Sequence, residues 1–178
     1  LDPVSIARNE LESKGIRLDA IGELVVRDAY TDRRTGILHA YLRQHLNGLD
    51  VFGTEVALHI LPDGRVVGLH QRLIEDLVAK APKTAPGLAP EEALRAALRI
   101  EGLPEARIAR VEDDGAAHRY VFSREGIASE DPVLQLYLMP VGEKVSLVWN
   151  VTLYLLDGSH WWNIRIDATT GKELERND

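Results

Sequence analysis

The pair Asn47-Gly48 lies between two patterned runs, residues 37–46 and 51–61. Both residues accept positive φ, so the pair reads as a two-residue hairpin loop. Such a loop forces its flanks into neighbouring antiparallel strands and sets their register. Similar punctuation recurs along the chain. Asp32-Arg33-Arg34-Thr35-Gly36 precedes the first run and Pro62-Asp63-Gly64 follows the second. Asp113-Asp114-Gly115 and Asp157-Gly158-Ser159 break the later chain. Between the breaks the residues alternate. Leu24, Val26, Asp28 and Tyr30 share one face of a strand, and residues 66–70 form another. Residues 107–112, 118–123 and 133–139 predict three more. The longest run, residues 145–156, sets Val145, Leu147, Trp149, Val151, Leu153 and Leu155 on one face. Residues 160–167 follow, with Trp162, Ile164 and Ile166 aligned.

Helical spacing is confined to short stretches. Val4, Ala7 and Leu11 predict one helix, ended by Gly15. Leu73, Ile74, Leu77 and Val78 predict a closing turn or two of helix. A third helix is expected over residues 90–101, with Pro90 at its first position and Glu91 and Glu92 against the positive dipole end. Ala93, Leu94, Ala97 and Leu98 form its buried stripe, Gly102 stops it, and Ala89 is a poor N-cap. Residues 80–87, with two prolines and a glycine, read as a linker. The expectation is α+β: two units, residues 1–79 and 88–178, each one helix against an antiparallel sheet.

Composition narrows the function. Of 178 residues, 45% are hydrophobic and 28% charged, which is globular and not disordered. The net charge of −7 argues against nucleic acid and against anionic membranes, both of which need basic clusters. No apolar run approaches the ~20 residues of a membrane span. Cysteine is absent, so disulfides, zinc–thiolate sites and cysteine nucleophiles are excluded. The sequence opens at Leu1-Asp2, leaving no signal peptide to read.

Catalytic motifs are missing. There is no Gly-rich phosphate cradle after a strand, no His-Glu-x-x-His and no Gly-x-Ser-x-Gly elbow. Six histidines invite a metal reading. His39 and His45 stand six apart on one strand, and His59 and His70 flank a hairpin. No pair has common ligand spacing, so no metal or other cofactor is expected on this chain. Asp113-Asp114 and Glu130-Asp131 read as solvated turn residues. The sequon Asn150-Val151-Thr152 lies mid-strand, where no glycan is expected. Trp161 and Trp162 are adjacent and must point to opposite faces: one toward the core, the other a candidate interface anchor.

The ordered pattern from Val25 to Leu73 resembles the fungalysin/thermolysin propeptide motif. Its elements are Tyr30-Thr31-Asp32, Thr35-Gly36, Arg43-Gln44, Asn47-Gly48, Val51-Phe52-Gly53 and Asp63-Gly64-Arg65-Val66-Val67. Leu88-Ala89-Pro90-Glu91-Glu92-Ala93 resembles the helix start of PepSY-type propeptide domains. Leu147-Val148-Trp149-Asn150-Val151 and residues 166–174 resemble their later strands. The resemblance implies two cystatin-like units, each a helix embraced by a curved sheet. It implies the prodomain of a secreted zinc metalloprotease of the fungalysin type, itself not an enzyme, that inhibits the catalytic domain and chaperones its folding. Zinc is then expected in that partner and not here, and the catalytic part is expected to begin about where this sequence stops. Candidate partner-binding residues are Gln44, His45, Asn47, Gly48, Trp161 and Trp162. The alternative is a stand-alone secreted or periplasmic PepSY-like binding module. A small-molecule carrier or enzyme is a more distant third.

Overall fold

The computed structural model describes residues 2–104 and 108–178. The chain divides into two compact units, Leu1–Ala81 and Pro82–Asp178.

The first unit opens with helix α1 (Pro3–Ser13). Asp2 caps it: its carboxylate accepts from the backbone N–H groups of Val4 and Ser5, both at 3.2 Å. Pro3 sits where a missing N–H costs nothing. Gly15 takes φ +85° just beyond the helix end. Strands β1 (Glu23–Thr31), β2 (Leu38–Leu46), β3 (Leu49–Asp50), β4 (Glu55–Ile60) and β5 (Val66–Arg72) form one antiparallel sheet in the order β1-β2-β4-β5, with β3 against β2. Helix α2 (Leu77–Lys80) is a single turn. Ala7 and Leu11 pack on Leu24, Ala40, Leu42, Val56, Leu58 and Ile60, which form the inner face of the sheet. Each large aliphatic side chain buried this way contributes about 1.5–3 kcal/mol.

The Asn47-Gly48 loop is made as expected, with φ +53° and +82°. The strand expected to follow it unbroken over 51–61 is interrupted. β3 lasts two residues, Phe52 and Gly53 turn, and β4 pairs with β2 from Val56. Thr54 explains the break. Its hydroxyl donates to the Val51 carbonyl at 3.0 Å and accepts from the Gln44 N–H at 3.2 Å, closing a local turn in place of a ladder.

The second unit has helix α3 (Pro90–Ile100) and six strands: β6 (Arg110–Asp114), β7 (Arg119–Phe122), β8 (Val133–Val141), β9 (Lys144–Tyr154), β10 (Trp161–Asp167) and β11 (Glu173–Asn177). They pair antiparallel in sequence order, β6 to β11, as one meander. Ala89 has no side-chain acceptor for the helix start, so only the returning half of a capping arrangement forms: Glu92 accepts from the Ala89 N–H at 2.8 Å. Ala93, Leu94, Ala97 and Leu98 are buried as the pattern predicted. Trp149 is buried and donates its indole N–H to the Leu88 carbonyl at 3.1 Å, tying β9 to the helix entry. The expected break at Asp113-Asp114-Gly115 shifts here. Asp113 and Asp114 belong to β6, not to the turn, which spans residues 115–118 with His118 at φ +50°. Of the strand expected over 107–112, Arg107 lies outside the described residues. Sheets dominate and helices are few, so the α+β class is carried mainly by β structure.

Candidate functional site

The six residues singled out in the sequence fall in two places, one on each unit. Gln44 is not at a surface. It is fully buried, and its side-chain amide donates to the Ile21 carbonyl at 2.8 Å and the Ile74 carbonyl at 2.9 Å. Its Oε1 accepts from the Ile74 N–H at 2.7 Å. The side chain therefore staples β2 to the segments before β1 and after β5, and offers nothing to a partner. An Arg-Gln dipeptide carries no signal for this, because the three bonds reach 23 and 30 positions along the chain.

His45, Asn47 and Gly48 do form one surface. Asn47 and Gly48 are the exposed hairpin tip. His45 Nδ1 lies 3.1 Å from one oxygen of Asp50, directly across the hairpin. The other Asp50 oxygen accepts from Arg27 at 3.1 Å and meets Arg43 at 3.5 Å. One carboxylate thus gathers three basic side chains beside the tip. Sequence reasoning missed Asp50, Arg27 and Arg43; only the Asn-Gly loop signalled that positions 45 and 50 would meet. On the same sheet, hydrogen bonding with Tyr30 pushes the Tyr41 hydroxyl above its ordinary range, and the carboxylates of Glu55 and Asp28 add to this.

The tryptophan pair splits as β geometry requires. Trp161 is 55% exposed and tilts against Tyr154 across the hairpin, with ring centroids 5.7 Å apart. Leu156 is exposed in the same hairpin. Trp162 is half-buried and shares its face with the buried Ile164 and Ile166. His160 stacks on its ring at 4.5 Å, and the Arg176 guanidinium lies 5.3 Å from the centroid. The Trp162 indole N–H is buried with no hydrogen-bond partner among the described residues. Asp178 secures this end of the strand. Its oxygens accept from the Trp161 N–H and meet His160 Nδ1, both at 2.7 Å, and the His160 contact holds the carboxyl below its usual range. Arg176 clasps Glu173 through two bonds and also binds Glu101. The Glu173 carboxyl is lowered chiefly by that Arg176 contact.

The metal reading of the histidines changes partners. His39 does not act with His45, nor His59 with His70; the register brings His39 and His59 together instead. Among the described residues, no group of three or more His, Cys, Asp or Glu side chains is arranged to hold a metal ion. No helix there is long and apolar enough to cross a membrane. Asn150 of the sequon is engaged inside the sheet, its amide donating to Asn163 at 3.2 Å.

Residues 22–73 match the family model of the Fungalysin/Thermolysin Propeptide Motif, and the chain carries that motif. The match coincides with the whole of the first sheet, from β1 to β5. The chain is also similar to secreted proteases of fungi. It is 27% identical over 154 residues to an extracellular metalloproteinase of Pyrenophora tritici-repentis, covering 84% of this chain and 23% of that protein. It is 31% identical over 139 residues to the extracellular metalloproteinase mep of Aspergillus niger, covering 76% and 22%. The chain therefore spans less than a quarter of the length of these relatives. Among solved structures, the Bacillus megaterium YpeB C-terminal domain aligns with 99% of this chain and 65% of its own, at 14% identity and TM-score 0.40, too loose a likeness to build on.

Proposed function

We propose that this chain is the non-catalytic N-terminal prodomain of a secreted zinc metalloendopeptidase, inhibiting the catalytic domain and templating its folding. The observation that carries this is the coincidence of the propeptide motif with one complete, self-contained sheet. The similarity to extracellular metalloproteinases over a minor fraction of their length supports it, as does the absence of a zinc-protease motif from the sequence. On this reading residues 1–79 are the propeptide-motif domain and residues 88–178 a PepSY-like domain, with zinc held by the partner alone.

The contact residues would be the Asn47-Gly48 tip with His45 on the first unit and the exposed Trp161 on the second. A partner that binds the native catalytic domain and not its unfolded state stabilises the native form by mass action. An interface near ~1,600 Å² or larger is usual for so lasting a pair. The test adds the folded chain, well above enzyme concentration, to the mature protease encoded with it, and follows peptide hydrolysis. Slow-reversing inhibition is expected, together with a higher yield when the denatured catalytic domain is refolded in its presence. Unchanged rates and unchanged refolding yield would overturn the proposal in favour of a stand-alone binding module.

A further inference from the structure

A row of directly paired residues crosses the first sheet: Tyr30 on β1, His39 on β2, His59 on β4 and Gly68 on β5. Paired positions project to the same side of a sheet. Here it is the side opposite the inner set, which consists of the intervening residues Ala40, Leu42, Val56, Leu58 and Ile60. In the middle of the row the Nδ1 atoms of His39 and His59 stand 2.8 Å apart. The two rings meet at 65°, with centroids 4.8 Å apart.

Both rings are held from behind. Tyr30 stacks on His39 at 4.9 Å and 18°. Gly68 makes room for His59: a Cβ there would come within 2.8 Å of the His59 Cδ2. Gly68 has no positive φ that would call for glycine on backbone grounds. Its missing side chain therefore serves the imidazole, which turns its Nδ1 toward β2. The result is two ring nitrogens held in contact, one Nδ1–H donating to the other Nδ1.

We propose that His39 and His59 form a two-imidazole site for a divalent ion of the Cu(II) or Ni(II) class. The metal would replace the shared proton: the ring that donates from Nδ1 shifts to its Nε2–H tautomer, and each ring then offers its Nδ1 lone pair. The separation selects the metal. With metal–nitrogen bonds of about 2.0–2.1 Å, a 2.8 Å bite subtends roughly 85–90° at the ion. That is the angle between adjacent ligands in square-planar or tetragonal coordination, which Cu(II) and Ni(II) favour. Tetrahedral zinc needs about 109°, hence donors about half an ångström further apart. Water completes the coordination sphere, since no third protein ligand stands by among the described residues. This departs from the expectation of a metal-free chain, because the pair is made by strand register and not by sequence spacing. It does not depend on the prodomain reading.

The test uses the full chain, freed of metal, titrated calorimetrically with copper(II), nickel(II) or zinc(II) chloride alone. One site is expected for copper and nickel, and the electron paramagnetic resonance of the copper form should show two equatorial nitrogens. His39→Ala and His59→Ala should each weaken it at least about tenfold. His70→Ala, on the same sheet, should not. Should an alanine variant lose its fold, His59→Gln keeps a hydrogen-bonding side chain for His39 and should still lose the metal. Wild-type binding no tighter than that of a variant carrying both His39→Ala and His59→Ala would mean the pair is a hydrogen bond only. That result overturns the proposal, as would full affinity in His59→Gln, or zinc bound more tightly than nickel.

Discussion

At the residue scale, burial separates side chains that hold this fold from those free to meet a partner. Gln44 belongs to the first kind. Replacing it with Leu leaves the Ile21 and Ile74 carbonyls and the Ile74 N–H without their partner. Each orphaned buried group costs about 1–3 kcal/mol, so Gln44→Leu should destabilise the first unit by several kcal/mol. Urea denaturation should show a lower midpoint with an unchanged slope; an unchanged midpoint would refute the stapling role. The tryptophans make the contrast on the second unit. Trp149→Ala should cost about 3–5 kcal/mol, since it empties a core position and frees the Leu88 carbonyl. Trp161→Ala should shift stability by no more than about 0.5 kcal/mol, because half the side chain is already in water. Thermal melts of both variants check the stability arm. In the inhibition assay, Trp161→Ala should weaken the effect while the circular dichroism spectrum stays unchanged. Composition and alternation could say that Trp161 and Trp162 point apart. They could not say which one faces α3, because that depends on the side from which the helix docks.

At the element scale, the hairpins were the most legible part of the chain. Asn47-Gly48 and Gly158 take the positive φ values that their turns require. Less legible was the closing hairpin of β10 and β11, whose clasp is electrostatic. Arg176 binds Glu173 on its own strand and reaches Glu101 beyond the end of α3. Because this contact lowers the Glu173 carboxyl, the native state holds the proton less tightly than the unfolded chain does. The stabilisation is therefore complete above the unfolded value of about 4.3 and fades as pH falls through the lower native value. Comparing Glu173→Gln with the parent from pH 7 down to pH 3 should show a melting difference near neutrality that closes in acid. The neutral-pH effect should stay below about 1 kcal/mol, since the pair is partly solvated. A difference that grows toward acid would contradict the assignment. The break between β3 and β4 was not legible at all. Thr54 reads as a good strand residue, and only its bonds to Val51 and Gln44 turn it into a corner.

At the scale of the molecule, each unit has its own helix, its own sheet and its own buried cluster. Fragments 1–81 and 82–178 should each express as a folded species with a single cooperative melt. Their stabilities should be modest, as expected for domains under ~100 residues without disulfides. A fragment lacking near-ultraviolet circular dichroism or melting without cooperativity would show that one unit needs the other. The sequence by itself determined the antiparallel class, the helix positions, the tight turns and the resemblance to propeptides. All of these rest on interactions between residues close in the chain, where periodicity and φ preference act. The tertiary structure alone decided that Gln44 is a staple, that Asp50 gathers Arg27, Arg43 and His45, and that His39 meets His59 rather than His45. Those outcomes depend on the register between distant strands, and register is settled by which apolar faces must be buried together, not by any local spacing.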